Sequence, residues 1–120
     1  MTRNPLIGKV CHKAEVTTLL RVHDGDTFYV NINSFPPLLG NDIGIRIRGI
    51  DAPEIKSKVD AECKRALMAK HVTSSSLYGA KKIVLKNLTR GKYFRLIADV
   101  YFDGVNLAGV LLGKGLVDRY

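Results

Sequence analysis

The stretch Ile43-Gly44-Ile45-Arg46-Ile47-Arg48-Gly49-Ile50-Asp51-Ala52-Pro53-Glu54 holds the first clue to both fold and chemistry. Its first half alternates. Ile43, Ile45 and Ile47 would share the inner face of a strand, with Arg46 and Arg48 on the outer one. Gly49 allows a bend or bulge just before Asp51. Pro53 cannot donate to a ladder, so Ala52-Pro53-Glu54 is expected to turn out of the sheet.

Working outward, the same period of two recurs upstream. Phe28, Val30 and Ile32 alternate with Tyr29, Asn31 and Asn33, which predicts a half-buried strand after a turn at His23-Asp24-Gly25. Asp26 has the parity of the buried residues but is expected to stay wet at the strand's mouth. Residues 10–22 read as one long first strand, and 34–42, with Pro36-Pro37 and Gly40-Asn41, as a loop.

Downstream, residues 61–77 suit a helix with a stripe of Cys63, Ala66, Leu67, Ser74 and Leu77, Lys70 being its imperfect member. Asp60 is the expected N-cap and Gly79 the stop. Residues 82–88 form a strand and Thr89-Arg90-Gly91 a turn. Phe94, Leu96, Ala98, Val100 and Phe102 then alternate inward. Asp103-Gly104 is a turn signal, and Leu107, Val110, Leu111 and Lys114 space a short helix that Gly115 would end.

Five strands with a helix between the third and fourth predict a β-rich α+β fold. The expected form is a five-stranded OB-fold Greek-key barrel with one main helix and a short C-terminal helix. Another α+β sandwich fits this pattern nearly as well. At 120 residues, one domain over 1–120 is expected, with its core at about 10–117.

Lysine and arginine number 19 against 11 acidic residues, and the resulting +8 favours a polyanionic partner, nucleic acid above all. No apolar run is long enough for a membrane span, and the first residues lack the pattern of a secretory signal. The expectation is a cytoplasmic protein, or an exported one whose signal has been removed. Nothing in the sequence demands more than a monomer. Cys11 and Cys63 have no zinc-ligand spacing. They are expected as two buried thiols, with one disulfide possible on export.

Asp26, Asp51 and Glu54 are candidates for a hard-cation site, because such ions take carboxylate, carbonyl and water oxygens. Asp26 and Asp51 each end a strand, and Glu54 could serve as base toward a water. Taken singly, each acid suits an ordinary turn. Arg46 and Arg95 have the fork that grips phosphate bidentately. Lys92 and Tyr93 beside Arg95 suit a nucleotide, since bases stack and phosphates pair. His12, His23 and His71 earn no catalytic role.

These residues, in this order, resemble the staphylococcal (thermo)nuclease family. The resemblance rests on Asp24-Gly25-Asp26-Thr27, on residues 45–54, on Tyr93-Phe94-Arg95 and on the tail from Asp103-Gly104 to Gly115-Leu116-Val117. It implies an OB-fold and Ca²⁺-dependent hydrolysis of DNA and RNA that leaves 3′-phosphate ends. By matching positions, Asp26, Asp51 and the backbone carbonyl of Ala52 would bind calcium. Glu54 would be the general base. Arg46 and Arg95 would stabilise the five-coordinate transition state, and Lys92 and Tyr93 would bind substrate. Ala52 stands where the family commonly has threonine. The loop after Glu54 is shorter than in the staphylococcal enzyme, and the family's third, C-terminal helix has no counterpart before Tyr120. Tyr120 is a poor match for a further site tyrosine. The rival expectation is a non-catalytic nucleic-acid-binding barrel.

Overall fold

The computed structural model describes residues 11–55, 58–92 and 94–120, apart from the side chains of Cys11 and His12. The strands are β1 (Cys11–Glu15), β2 (Thr18–Asp24), β3 (Thr27–Asn31), β4 (Ile43–Ile47), β5 (Ile50–Asp51), β6 (Ile83–Arg90), β7 (Arg95–Phe102), β8 (Val105–Asn106) and β9 (Asp118–Arg119). The helices are α1 (Pro37–Gly40), α2 (Asp60–Tyr78) and α3 (Leu107–Gly113).

The main sheet runs β1-β6-β7-β4-β3-β2, with β8 attached to β7. Its two edges, β1 and β2, are consecutive pieces of one bent stretch. At the bend the Val16 N–H donates to Ile83 O of β6, and the next N–H, of Thr17, donates to Asn31 O of β3. One corner thus serves both edges, and the sheet curls on itself. The β4–β7 pair is parallel and the other pairs are antiparallel. This is the OB-type arrangement, α+β with a curled Greek-key sheet.

Alternation places the core. Phe28, Val30, Ile32, Ile45 and Ile47 are buried beneath the sheet with Leu85, Ala98 and Val100. Leu107 and Leu111 of α3 close the same core. The side chain of Asn106 caps α3 by accepting from the Gly109 N–H at 3.3 Å. Gly49, at φ +83°, takes the left-handed bend expected there.

Several expectations change. The long first strand breaks at Val16-Thr17 because its halves pair with different partners. The proline loop contains one helical turn, α1. Asp60 lies inside α2, and Val59, which offers no side-chain cap, is the residue before it. The buried stripe of α2 is Ala66, Ala69, Thr73 and Leu77, whereas Leu67 is half exposed. Small residues line that stripe because the helix sits close to the sheet. Strand β6 runs through Thr89 and Arg90, past a bulge at Asn87, so the turn begins at Gly91. Cys63 is a free, half-buried thiol whose Sγ–H donates to Ile55 O. The Cys11 side chain lies outside the described residues.

Phe94 is also not in the core. It is 83% exposed at φ +60° because the chain is still in the turn one residue before β7 begins. A bulky residue there is strained. Phe94→Gly is expected to raise stability by about 1 kcal/mol. Urea unfolding would check it, and a lowered midpoint would contradict the strain.

Candidate active site

The site begins with the turn between β2 and β3. Gly25 is needed there for space. A Cβ at that position would lie 2.7 Å from the Ala69 Cβ and 3.3 Å from the Ala52 Cβ. Helix α2 therefore presses directly on the turn, and the buried Thr73 hydroxyl donates to Gly25 O at 2.9 Å. The consequence is that Asp26 is not wet, being 4% exposed. That expectation failed because burial here comes from a helix far along the chain, not from strand parity.

A buried carboxylate needs partners, and Asp26 has several. Its Oδ2 lies 2.9 Å from the Arg46 guanidinium and accepts the Ala52 N–H at 2.9 Å. Its Oδ1 accepts the Thr27 hydroxyl at 2.9 Å. Arg46 also reaches Asp51 Oδ1 at 3.3 Å and Ile50 O at 3.3 Å. One guanidinium thus bridges Asp26 and Asp51, the two carboxylates expected to share a cation.

Burial raises the Asp26 pKa, but hydrogen bonds from Asp24, Ala52 and Thr27 and the charge of Arg46 outweigh it and hold the carboxyl below its ordinary range. The neighbouring Asp24 is pushed up to about 7, first by burial and then by Asp26. Burial lowers the Arg46 pKa, but Asp26 and Asp51 outweigh it and hold its proton more firmly than usual. Asp24 thus has a folded pKa above its unfolded value, so its contribution is fully favourable below the unfolded pKa and is lost as pH rises through about 7. In chelator, Asp24→Asn should raise the melting temperature by a few degrees at pH about 8 and leave it unchanged at pH about 3. An equal shift at both would refute this sign.

The tail completes the cluster. β9 pairs with β5, setting Asp118 opposite Asp51, and the Tyr120 N–H donates to Gly49 O. Arg65 of α2 holds the tail through Asp118 Oδ1 at 2.8 Å and Gly115 O at 2.9 Å. The Tyr120 ring ends 5.6 Å from the Arg46 guanidinium, a cation–π distance. The weak candidate tyrosine is therefore beside the central arginine.

The family model for staphylococcal nuclease homologues matches residues 44–120, which span Arg46, Asp51, Glu54, Arg95 and the docked tail. The chain belongs to the staphylococcal nuclease homologue family. It is 37% identical over 83 residues to a protein of Oryza sativa subsp. japonica named "Probable staphylococcal-like nuclease CAN1". That match covers 69% of this chain and 23% of the rice protein, so the chain spans about a quarter of that relative's length.

The other residues expected of a staphylococcal nuclease homologue are placed less tightly. Arg95 lies across Gly44, where an added Cβ would come within 2.8 Å of its Cγ. Its Nε donates to Lys92 O at 3.4 Å, and it makes no ion pair among the described residues. In the parallel β4–β7 register Arg95 pairs with Gly44 and Ile97 with Arg46, so both arginines share the outer face. Lys92 is exposed, and Tyr93 lies outside the described residues. Glu54 is exposed, makes no hydrogen bond or ion pair among the described residues, and forms no three-acid group with Asp26 and Asp51. Arg48 is a half-buried charge with partners of its own. It donates to Thr89 Oγ1 and Ile97 O and lies 3.5 Å from Asp99, tying β4 to β6 and β7.

Among the described residues no three His, Cys, Asp or Glu side chains are grouped to hold a metal ion. Asp26, Asp51 and the Ala52 carbonyl are nonetheless all hard oxygen donors, which suits Ca²⁺ in kind. Missing from the sequence reading were Ala69 and Thr73, which set the turn. Their small size at helical spacing with Ala66 was the available signal.

Proposed function

We propose that this chain is a calcium-dependent nuclease that hydrolyses phosphodiester bonds of DNA and RNA and leaves 3′-phosphate ends. The supporting observation is the Arg46 guanidinium set between Asp26 and Asp51, with Arg95 on the same outer face and in no ion pair among the described residues. The family membership and the basic excess favour the same reading.

Arg46 and Arg95 would grip two phosphoryl oxygens and offset charge that grows as phosphorus becomes five-coordinate. Glu54, which has no hydrogen bond or ion pair among the described residues, would take the proton of the attacking water. The water oxygen bonds to phosphorus as the bond to the 5′-oxygen breaks. Asp26, Asp51 and the Ala52 carbonyl would hold Ca²⁺, which supplies added positive charge at the phosphate when bound. Lys92 and Tyr93 would bind flanking substrate, and Tyr120 would stand at the rim beside Arg46. Contacts dominated by the backbone predict weak sequence preference and strong salt dependence. Residues 1–120 would act as one monomeric domain.

A second reading, a non-catalytic nucleic-acid-binding module, draws on one observation: Arg46 is already engaged by two carboxylates. Incubation with single-stranded DNA in calcium or chelator separates the two. Cleavage in calcium alone is expected, with Glu54→Gln lowering it by roughly 10²–10⁴-fold. Binding without cleavage would select the module.

A further inference from the structure

The outer face of the sheet continues past the site. The row Asp24, Thr27, Arg46 and Ile97 crosses β2, β3, β4 and β7. Next to it, on the same face, runs Arg21, Tyr29, Gly44 and Arg95. Arg95 belongs to this second row.

The middle of that row is a saddle. Gly44 has no side chain, and its place is taken from one side by the Arg95 methylenes and from the other by the Tyr29 ring. A Cβ on Gly44 would meet Arg95 Cγ at 2.8 Å and Tyr29 Cε2 at 3.1 Å. At the far end the Arg21 guanidinium lies 4.2 Å from the centroid of the Tyr29 ring. Asp42 holds one edge of it at 3.0 Å. The Arg21 and Asp42 side chains are 54% and 56% exposed, so their ion pair adds little to stability. Its effect is to fix the direction of a guanidinium that still has donors to spare.

We propose that this row is a second nucleotide subsite for single-stranded nucleic acid, next to the phosphate held by Arg46 and Arg95. The assignment rests on the nuclease reading for what occupies the first subsite. The Tyr29–Arg21 stack offers a flat cationic surface to a base, and the Arg21 donors that Asp42 leaves without a partner among the described residues would take a further phosphate. An aromatic flanked by basic side chains along a sheet face is what sequence-tolerant binding of single strands requires. Arg21 and Arg95 are separated by three strand spacings, about 14 Å. They must therefore engage different phosphates of one strand. The basic excess of the chain supplies the matching charge.

The test is fluorescence anisotropy in chelator, where turnover does not intervene, with a labelled dodecathymidylate and a labelled dithymidylate. Arg21→Gln and Tyr29→Leu are compared with the wild-type chain and with Tyr29→Phe, after thermal melts confirm folding. Each of the first two should weaken dodecamer binding about tenfold. The dimer, which fills only the first subsite, should lose less than about twofold by the same stacking account. Arg21→Gln should also lower the slope of log affinity against log salt by roughly 0.7, the loss of one phosphate contact on a single strand. Tyr29→Phe should bind like the wild type because the ring remains. Unchanged dodecamer affinity, or equal losses on both lengths, would overturn the assignment. If the wild-type chain binds the dodecamer in this pattern but never cleaves it, the nuclease reading falls and the subsite stands. If it cleaves while both variants bind normally, only the subsite falls.

Discussion

Replacing Arg46 by glutamine is expected to lower cleavage roughly 10³-fold and to destabilise the fold by about 2–3 kcal/mol. The two effects share one cause. Asp26 is buried, and Arg46 is its ion partner at 2.9 Å. Without that charge Asp26 keeps hydrogen bonds from Asp24, the Ala52 N–H and the Thr27 hydroxyl but no positive partner among the described residues. A buried carboxylate left so costs several kcal/mol, less here because Arg46 itself is 23% exposed. Asp51 would lose its tie to Asp26 as well. The phosphate would lose a bidentate grip. Arg46→Lys should not rescue, since one ammonium cannot span both carboxylates. Urea unfolding and initial rates on single-stranded DNA measure the two effects separately. An Arg46→Gln chain as stable as the wild type would show that Asp26 does not depend on it.

Replacing Arg95 by glutamine is expected to lower cleavage by roughly 10²–10³-fold while changing stability by less than about 0.5 kcal/mol. Arg95 has the same proposed duty toward phosphate but a different place in the fold. Among the described residues its one side-chain polar contact, Nε donating to Lys92 O, is long at 3.4 Å. Its side chain lies over Gly44 on an open face, so its removal leaves no charge buried. A loss of stability matching that of Arg46→Gln would show that Arg95 holds the sheet together. Unchanged turnover would remove it from the mechanism, and an unchanged rate in Glu54→Gln as well would sink the mechanism as a whole.

The contrast between these arginines was not visible in the alternating pattern, which put both on a polar face. Much else was legible. Phe28, Val30, Ile32, Ile45 and Ile47 lie inward as their spacing requires. Asp103 and Gly104 both have positive φ, as a tight turn joining antiparallel strands requires. The order of Asp26, Arg46, Asp51 and Arg95 along the chain was enough to suggest a shared site, and the first three do meet.

What the amino-acid order determined by itself is local. A period of two specifies a strand and its inner face, because successive side chains must point oppositely. Asp-Gly specifies a turn. The tertiary structure alone decided whatever depends on a distant partner. Asp26 is dry because α2 packs Ala69 and Thr73, more than forty residues away, onto Gly25. Tyr120 reaches Arg46 because Arg65 holds the tail beside β5. Phe94 is exposed because the strand pairing starts one residue later. Burial and charge pairing are properties of the assembled neighbourhood, and no window of sequence contains that neighbourhood.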